Sequence, residues 1–360
     1  MRVALFLACL AGATASPANP LFEVVAAYEQ TQFNRVGNGG TAVGFGGGGF
    51  DVAWSRDMGR VRIPTSDGTT VPGSVKVQGV NGSGVAVGYQ DWDVPGKPTY
   101  RNAFVWDAVN GTRLIGDFGP YQSEAYGISD AGHIVGRYFA DTGSQPWMWR
   151  PGTGQEDLEL LPGWVAGDAE FVNSSGLAVG TAYSATLPRT RVAWDPDGKI
   201  RVLAPAPGWR DFSVADLNEG GYMTGLSEDT VSQAFLRDPD GNYTVIQNPF
   251  NPAAWTWGIG LNNKNEMVGR FNGGNQQNRG FYWTAASGLL VIDHHLAPGS
   301  EGWEIVMAQD ISDDGLVVGL GRKDEILYGV VLQVVPEPSL ALAPLAVLAL
   351  ARRRSRRGQA

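Results

Sequence analysis

The sequence predicts an all-β molecule: a seven-bladed β-propeller of four-stranded antiparallel blades, its last blade closed by the N-terminal strand. Three observations predict it. One unit recurs seven times along the chain. Each copy holds up to four short strand-like runs separated by turn residues, the length of a propeller blade. The two ends of the repeated region each supply what the other lacks.

The repeat is read from a Val-Gly pair. Its glycine stands at Gly44, Gly88, Gly136, Gly180, Gly225, Gly269 and Gly319, with spacings of 44, 48, 44, 45, 44 and 50 residues. The preceding residue is Val in every copy but one, where it is Thr224. Four positions before the marker stands Gly40, Gly84, Gly132, Gly176, Gly221, Asn265 or Gly315, residue types suited to a left-handed backbone. Seven positions before it stands Gly37, Asn81, Ser129, Asn173, Asn218, Asn262 or Ser312. The short polar side chains among these bond back to a turn. Each copy therefore opens with strand, turn, strand.

A second hairpin follows. Its first strand is aromatic, as in Ala103-Phe104-Val105-Trp106, Trp147-Met148-Trp149 and Phe281-Tyr282-Trp283. Its turns include Asp195-Pro196-Asp197-Gly198 and Asp238-Pro239-Asp240-Gly241. Its second strand is short and apolar: Leu114-Ile115, Leu158 to Leu161, Ile200 to Leu203, Val245-Ile246, Leu289 to Ile292. The seventh copy offers one further strand, Ile326 to Val334, and then lacks a fourth. Phe22 to Ala27 stands before the first copy, where a fourth strand belongs. Pairing the two ends in one blade removes the exposed edges an open solenoid would carry. The body so defined spans 21–334.

Composition agrees. Of 360 residues 50 are Gly, about twice ordinary usage, and the 43% of apolar residues can bury a large core. The net charge of −9 argues against nucleic acid as a partner, because phosphate binding needs a basic face. Six arginines lie in the terminal segments, so the body alone is more acidic still. The single cysteine, Cys9, lies in the leader, so the body has neither disulfide nor thiolate chemistry.

At the N-terminus, Arg2, the apolar run Val3 to Leu10 and Ala13-Thr14-Ala15 outline a secretory signal peptide over 1–15. At the C-terminus, over 335–360, Pro336-Glu337-Pro338 precedes an apolar run, Leu340 to Ala351, and the cluster Arg352, Arg353, Arg354, Arg356, Arg357. The run is short of the ~20 residues of a comfortable membrane helix. This tail resembles the PEP-CTERM sorting signal of Gram-negative bacteria. The resemblance implies recognition by an exosortase-type membrane enzyme and transient inner-membrane contact. It further implies a final place at the cell surface or in the extracellular matrix of a biofilm or exopolysaccharide producer. The body resembles the HAF repeat of secreted bacterial proteins through Ala125-Tyr126-Gly127-Ile128-Ser129-Asp130-Ala131-Gly132 with Val135-Gly136, through Ala103-Phe104-Val105-Trp106 and through Gly116-Asp117-Phe118-Gly119. The copies carrying Thr224 and Gly37 depart from that pattern. The family's biochemical role is largely undefined, so the match implies location and architecture.

Catalytic patterns are sparse. Asp293-His294-His295 lacks further ligands at metal spacing and reads as a loop after the sixth blade's outer strand. Asp310, Asp313 and Asp314 read as turn residues, without the spaced ligand set of a calcium loop. Gly46 to Gly49 lacks the Lys-Ser/Thr of a phosphate loop and reads as a flexible connection. No cofactor is implied. Six of the 12 Trp fall in the aromatic strands at equivalent blade positions and read as core. Trp92, Trp164, Trp209, Trp255, Trp257 and Trp303 fall outside that pattern and are the candidates for an exposed ligand-binding surface. The expectation is a non-enzymatic, exported, monomeric binding module for exopolysaccharide or an envelope protein. A secreted propeller glycoside hydrolase or polysaccharide lyase, with channel acids, is the alternative.

Overall fold

The computed structural model describes residues 19–336 apart from 72, 93–99 and 275–276. The proposed leader (1–15) and the sorting tail from 337 onward lie outside the described residues. The described chain forms seven four-stranded antiparallel sheets. Six follow chain order: blade 1 (32–62), blade 2 (75–114), blade 3 (123–157), blade 4 (166–202), blade 5 (211–246) and blade 6 (256–291). Blade 7 joins Glu304–Ile311, Leu316–Lys323 and Ile326–Val335 to the N-terminal strand Leu21–Glu29. The first strand of each blade touches that of the next, and the seventh touches the first, so the sheets close into a ring around a channel.

The closing strand lies where the sequence places it. Leu21 pairs with Val335 and Glu29 with Tyr328. It is also tied to blade 6: Ala297 N donates to the Phe22 carbonyl (2.8 Å) and Val24 N to Ser300 Oγ (2.9 Å). Phe22 is fully buried and meets Tyr282 edge to face at 5.5 Å.

The marker glycine has a steric cause. The inner strand of every blade is interrupted by a register shift, between Phe33 and Arg35 in blade 1 and between Ala125 and Gly127 in blade 3, for example. The marker pairs with the residue just before the shift. A Cβ there would lie 1.8–2.1 Å from an inner-strand carbonyl oxygen in all seven copies. A bulge pushes backbone toward the neighbouring strand, and only glycine leaves it room. Thr224, the departure from Val, donates its hydroxyl to the Phe235 carbonyl (2.9 Å) and so remains satisfied while buried.

The turns also act as expected, and more. Asn81 Oδ1 accepts from Ser83 and Val85 backbone N–H, and Asn173 and Asn262 repeat the pattern. The next residue in each turn links blades. Glu219 accepts from Ser174 N, Asn263 from Glu219 N, Asp313 from Asn263 N and Asn38 from Asp313 N, at 2.6–2.9 Å. Gly82 has no side chain to offer, and Asn38 Nδ2 reaches past it to Asp130 at 3.1 Å.

The core is divided among interfaces between neighbouring blades, filled by the aromatic strands: Trp54, Trp106, Trp147, Trp194 and Trp283 are buried. In blade 3 the outer strand is Gly154–Asp157, not Leu158 to Leu161. Leu158, 4% exposed, instead follows the strand and plugs the gap to blade 4. Gly47–Gly49 forms a 3-10 turn joining the second and third strands of blade 1, inside a blade rather than between blades.

Candidate functional site

Three features stand out: two border the channel, and the third is a groove at blades 5 and 6. The first is a charged trio. Arg35, Asp216 and Asp310 occupy the same place in blades 1, 5 and 7, just after the bulge, and line a cavity of about 130 Å³. Blades 2, 3 and 6 carry Gly79, Gly127 and Gly260 there, and blade 4 carries Phe171. A Cβ on Gly260 would fall 2.8 Å from Asp310 Oδ1. The bare glycine thus leaves room for Asp310. Each carboxylate also fastens the ring: Asp216 accepts from Leu261 N (2.8 Å) and Leu217 N (2.9 Å), Asp310 from Val36 N and Ile311 N (both 2.8 Å). Burial, and then the charge of Asp216, push Asp310 up to about 7 against the opposing pull of Arg35. Burial raises Asp216 as well, again opposed by Arg35. Arg35 donates to the Ala215 carbonyl at 3.1 Å. Asp310 is therefore a channel residue, and only Asp313 and Asp314 bond within and between turns, as the sequence suggests.

The second feature is an ionic network on blades 2 to 4. Buried Glu124 accepts from Arg101, from Arg137 Nε (2.8 Å) and from the Tyr126 hydroxyl. Burial pushes its pKa up, but these three donors together hold it below the ordinary value. Arg137 also reaches Asp168 at 3.1 Å. Burial raises Glu170, which accepts from Thr181 at 2.7 Å.

The third is a groove of about 580 Å³ at blades 5 and 6, lined by Trp255, Trp257, Arg270, Asn251, Asn272, Ser232 and neighbouring residues. The Arg270 guanidinium lies 4.9 Å from the Trp257 ring centroid and 5.6 Å from that of Trp255. Trp257 and Arg270 pair directly across the first two strands of blade 6. Glu124 and Arg137 are their counterparts in blade 3, Ser213 and Leu226 in blade 5. Desolvation lowers the pKa of Arg270, with no acid opposing it among the described residues.

The candidate tryptophans thus separate. Trp255 and Trp257 come together in the groove. Trp164 packs on the blade 4 core, Trp209 meets Tyr243 at 4.9 Å, and Trp303 meets Tyr328 at 5.1 Å. These three are half-buried packing residues. The side chain of Trp92 lies outside the described residues. Asp293 to His295 ends a 3-10 turn after the blade 6 outer strand, with Asp293 paired to Arg279. Among the described residues no three His, Cys, Asp or Glu gather as metal ligands. Arg35, Asp216 and Asp310 were missed as a set. The available signal was their common distance from the marker, nine residues, where the other copies carry Gly or Phe.

No family model matches the chain. No curated protein matches its sequence. Solved structures do. Virginiamycin B lyase from Staphylococcus aureus is 12% identical over 87% of this chain and 100% of that chain, with a TM-score of 0.52. The propeller domain of the Trilobed protease from Pyrococcus furiosus, described as having an open velcro topology, is 10% identical over 85% of this chain and 94% of its own, with a TM-score of 0.53. A prolyl endopeptidase is 13% identical over 84% of this chain and 47% of its own, at 0.50. At these identities the likeness shows the fold alone: the chain is a seven-bladed β-propeller.

Proposed function

We propose that the chain is an exported, non-enzymatic propeller that binds polysaccharide at the cell surface or in the extracellular matrix, with the Trp255–Trp257 groove as its site. The groove carries the reading. Two indole rings offer flat apolar surface for the C–H faces of sugar rings, and Asn251, Asn272 and Ser232 offer donors and acceptors for hydroxyls. The channel carboxylates, by contrast, are engaged with backbone N–H groups of their own and the next blades. The leader-like N-terminus and the Pro336-Glu337-Pro338 tail with its arginine cluster support export and exosortase-type processing. One observation favours the hydrolase or lyase alternative: two carboxylates of raised pKa share a channel.

The test is expression of the full chain in a Gram-negative host bearing an exosortase, followed by a glycan array on the recovered protein. The expected result is surface or extracellular protein trimmed at both ends that binds glycans without releasing sugar. Retention in the cytoplasm contradicts the export reading. A blank array contradicts the binding reading, and sugar release abolished by Asp310→Asn contradicts the non-enzymatic one.

A further inference from the structure

Resting on the groove as the binding site, we infer that it selects acidic polysaccharide, and that Arg270 is the residue that reads the carboxylate of a uronic acid unit. The chain carries a net charge of −9, and nine of its 16 described arginines have an acid within 4 Å. Arg270 has none among the described residues, although it is half-buried and lines an open groove. Its Nε is buried with no hydrogen-bond partner among the described residues, and so is the neighbouring Trp257 Nε1. A desolvated guanidinium without a counter-charge is costly to maintain, and native proteins leave few such groups unmatched.

The comparison within the ring sharpens the point. In blade 3 the equivalent arginine, Arg137, is matched by Glu124 directly across the strand pair. In blade 6 that acid is replaced by Trp257. The acid has been exchanged for a stacking surface, which leaves the cation to be neutralised from outside the chain. The groove supplies no other charge: its remaining lining is Asn, Ser, Thr, Ala, Leu and Val. A ligand that fits therefore has an apolar ring face, neutral hydroxyls and one planar anion within reach of a planar guanidinium. A hexuronate has all three, and a carboxylate accepts paired hydrogen bonds from arginine in a geometry that lysine does not reproduce.

The test is isothermal titration of the exported body with galacturonate, mannuronate and glucuronate-containing oligomers, each beside its methyl ester, which keeps the sugar and removes the charge. At least one acid form is expected to bind about tenfold more tightly than its ester, the size of one charge-assisted contact. Raising salt should narrow the gap. Arg270→Gln should abolish the gap between acid and ester, with the melting temperature within a few degrees of the parent, and Arg270→Lys should restore only part of the gap. Equal affinity for acid and ester overturns the inference while leaving the binding-module reading intact. A gap that survives in Arg270→Gln overturns it too. Binding to no uronate in either form, with neutral glycans bound on the array, overturns it alone; a blank array as well overturns both.

Discussion

At the level of single residues, the repeat separates positions fixed by sterics from positions free to vary. The marker glycine is fixed because a Cβ would strike a carbonyl oxygen in every blade. The residue nine places earlier is free, and there the chain places Arg35, Asp216 and Asp310. The sequence shows the first class directly, since identity recurs. It hides the second, because nothing in one copy says which residues the ring brings together across blades. Asp310 is the clearest instance: beside Asp313 and Asp314 it reads as turn chemistry, yet the bulge turns it into the channel. Its titration has a consequence. An unfolded Asp titrates near ~3.9, and the folded one near 7. Between these values the folded state retains a proton that the unfolded state has lost, so this group's contribution falls as pH rises from about 4 to about 7. Asp51, raised to about 6 chiefly by burial, acts the same way. Asp310→Asn removes the charge and keeps an acceptor for Val36 N. It should stabilise the protein at pH 8 by on the order of 1–3 kcal/mol, leave stability at and below about pH 4 unchanged, and flatten part of the pH slope. Thermal melts from pH 4 to pH 9 check this; parallel curves for the two proteins would contradict it.

At the level of elements, hairpins were legible and outer strands less so. The Asn-x-x-Gly turn declares the first hairpin because its backbone demands left-handed residues and its side chain satisfies the turn N–H groups. The outer strand of blade 3 was misplaced because its most apolar stretch is not the strand. Leu158 lies past the ladder and serves the next interface, and an exposed outer strand needs little apolar content. The N-terminal strand was found by what blade 7 lacked. Its anchor is Phe22, fully buried against Tyr282 of blade 6. Phe22→Ala should cost about 3–5 kcal/mol, the usual range for emptying a buried aromatic site. Urea unfolding would measure it, and a loss below about 1 kcal/mol would show that this strand does not secure the ring.

At the level of the whole molecule, seven similar blades make a scaffold whose common residues are turn, bulge and core. Individuality lies where the copies differ: charged pairs on blades 2 to 4, an arginine and two carboxylates lining the channel, and a tryptophan–arginine pair in the blade 6 groove. The sequence pointed to this division, since its leftover tryptophans included the two that meet. It could not separate them from Trp164, Trp209 and Trp303, because half-buried packing and groove lining use the same residue. The most direct test is to give blade 6 the residues that blade 5 carries at the same two positions, Ser213 and Leu226. The double variant Trp257→Ser/Arg270→Leu should melt within a few degrees of the parent, since both side chains line a groove rather than fill a core. It should lose glycan binding by titration. A variant that still binds with parental affinity would contradict the placement of function where the blades differ.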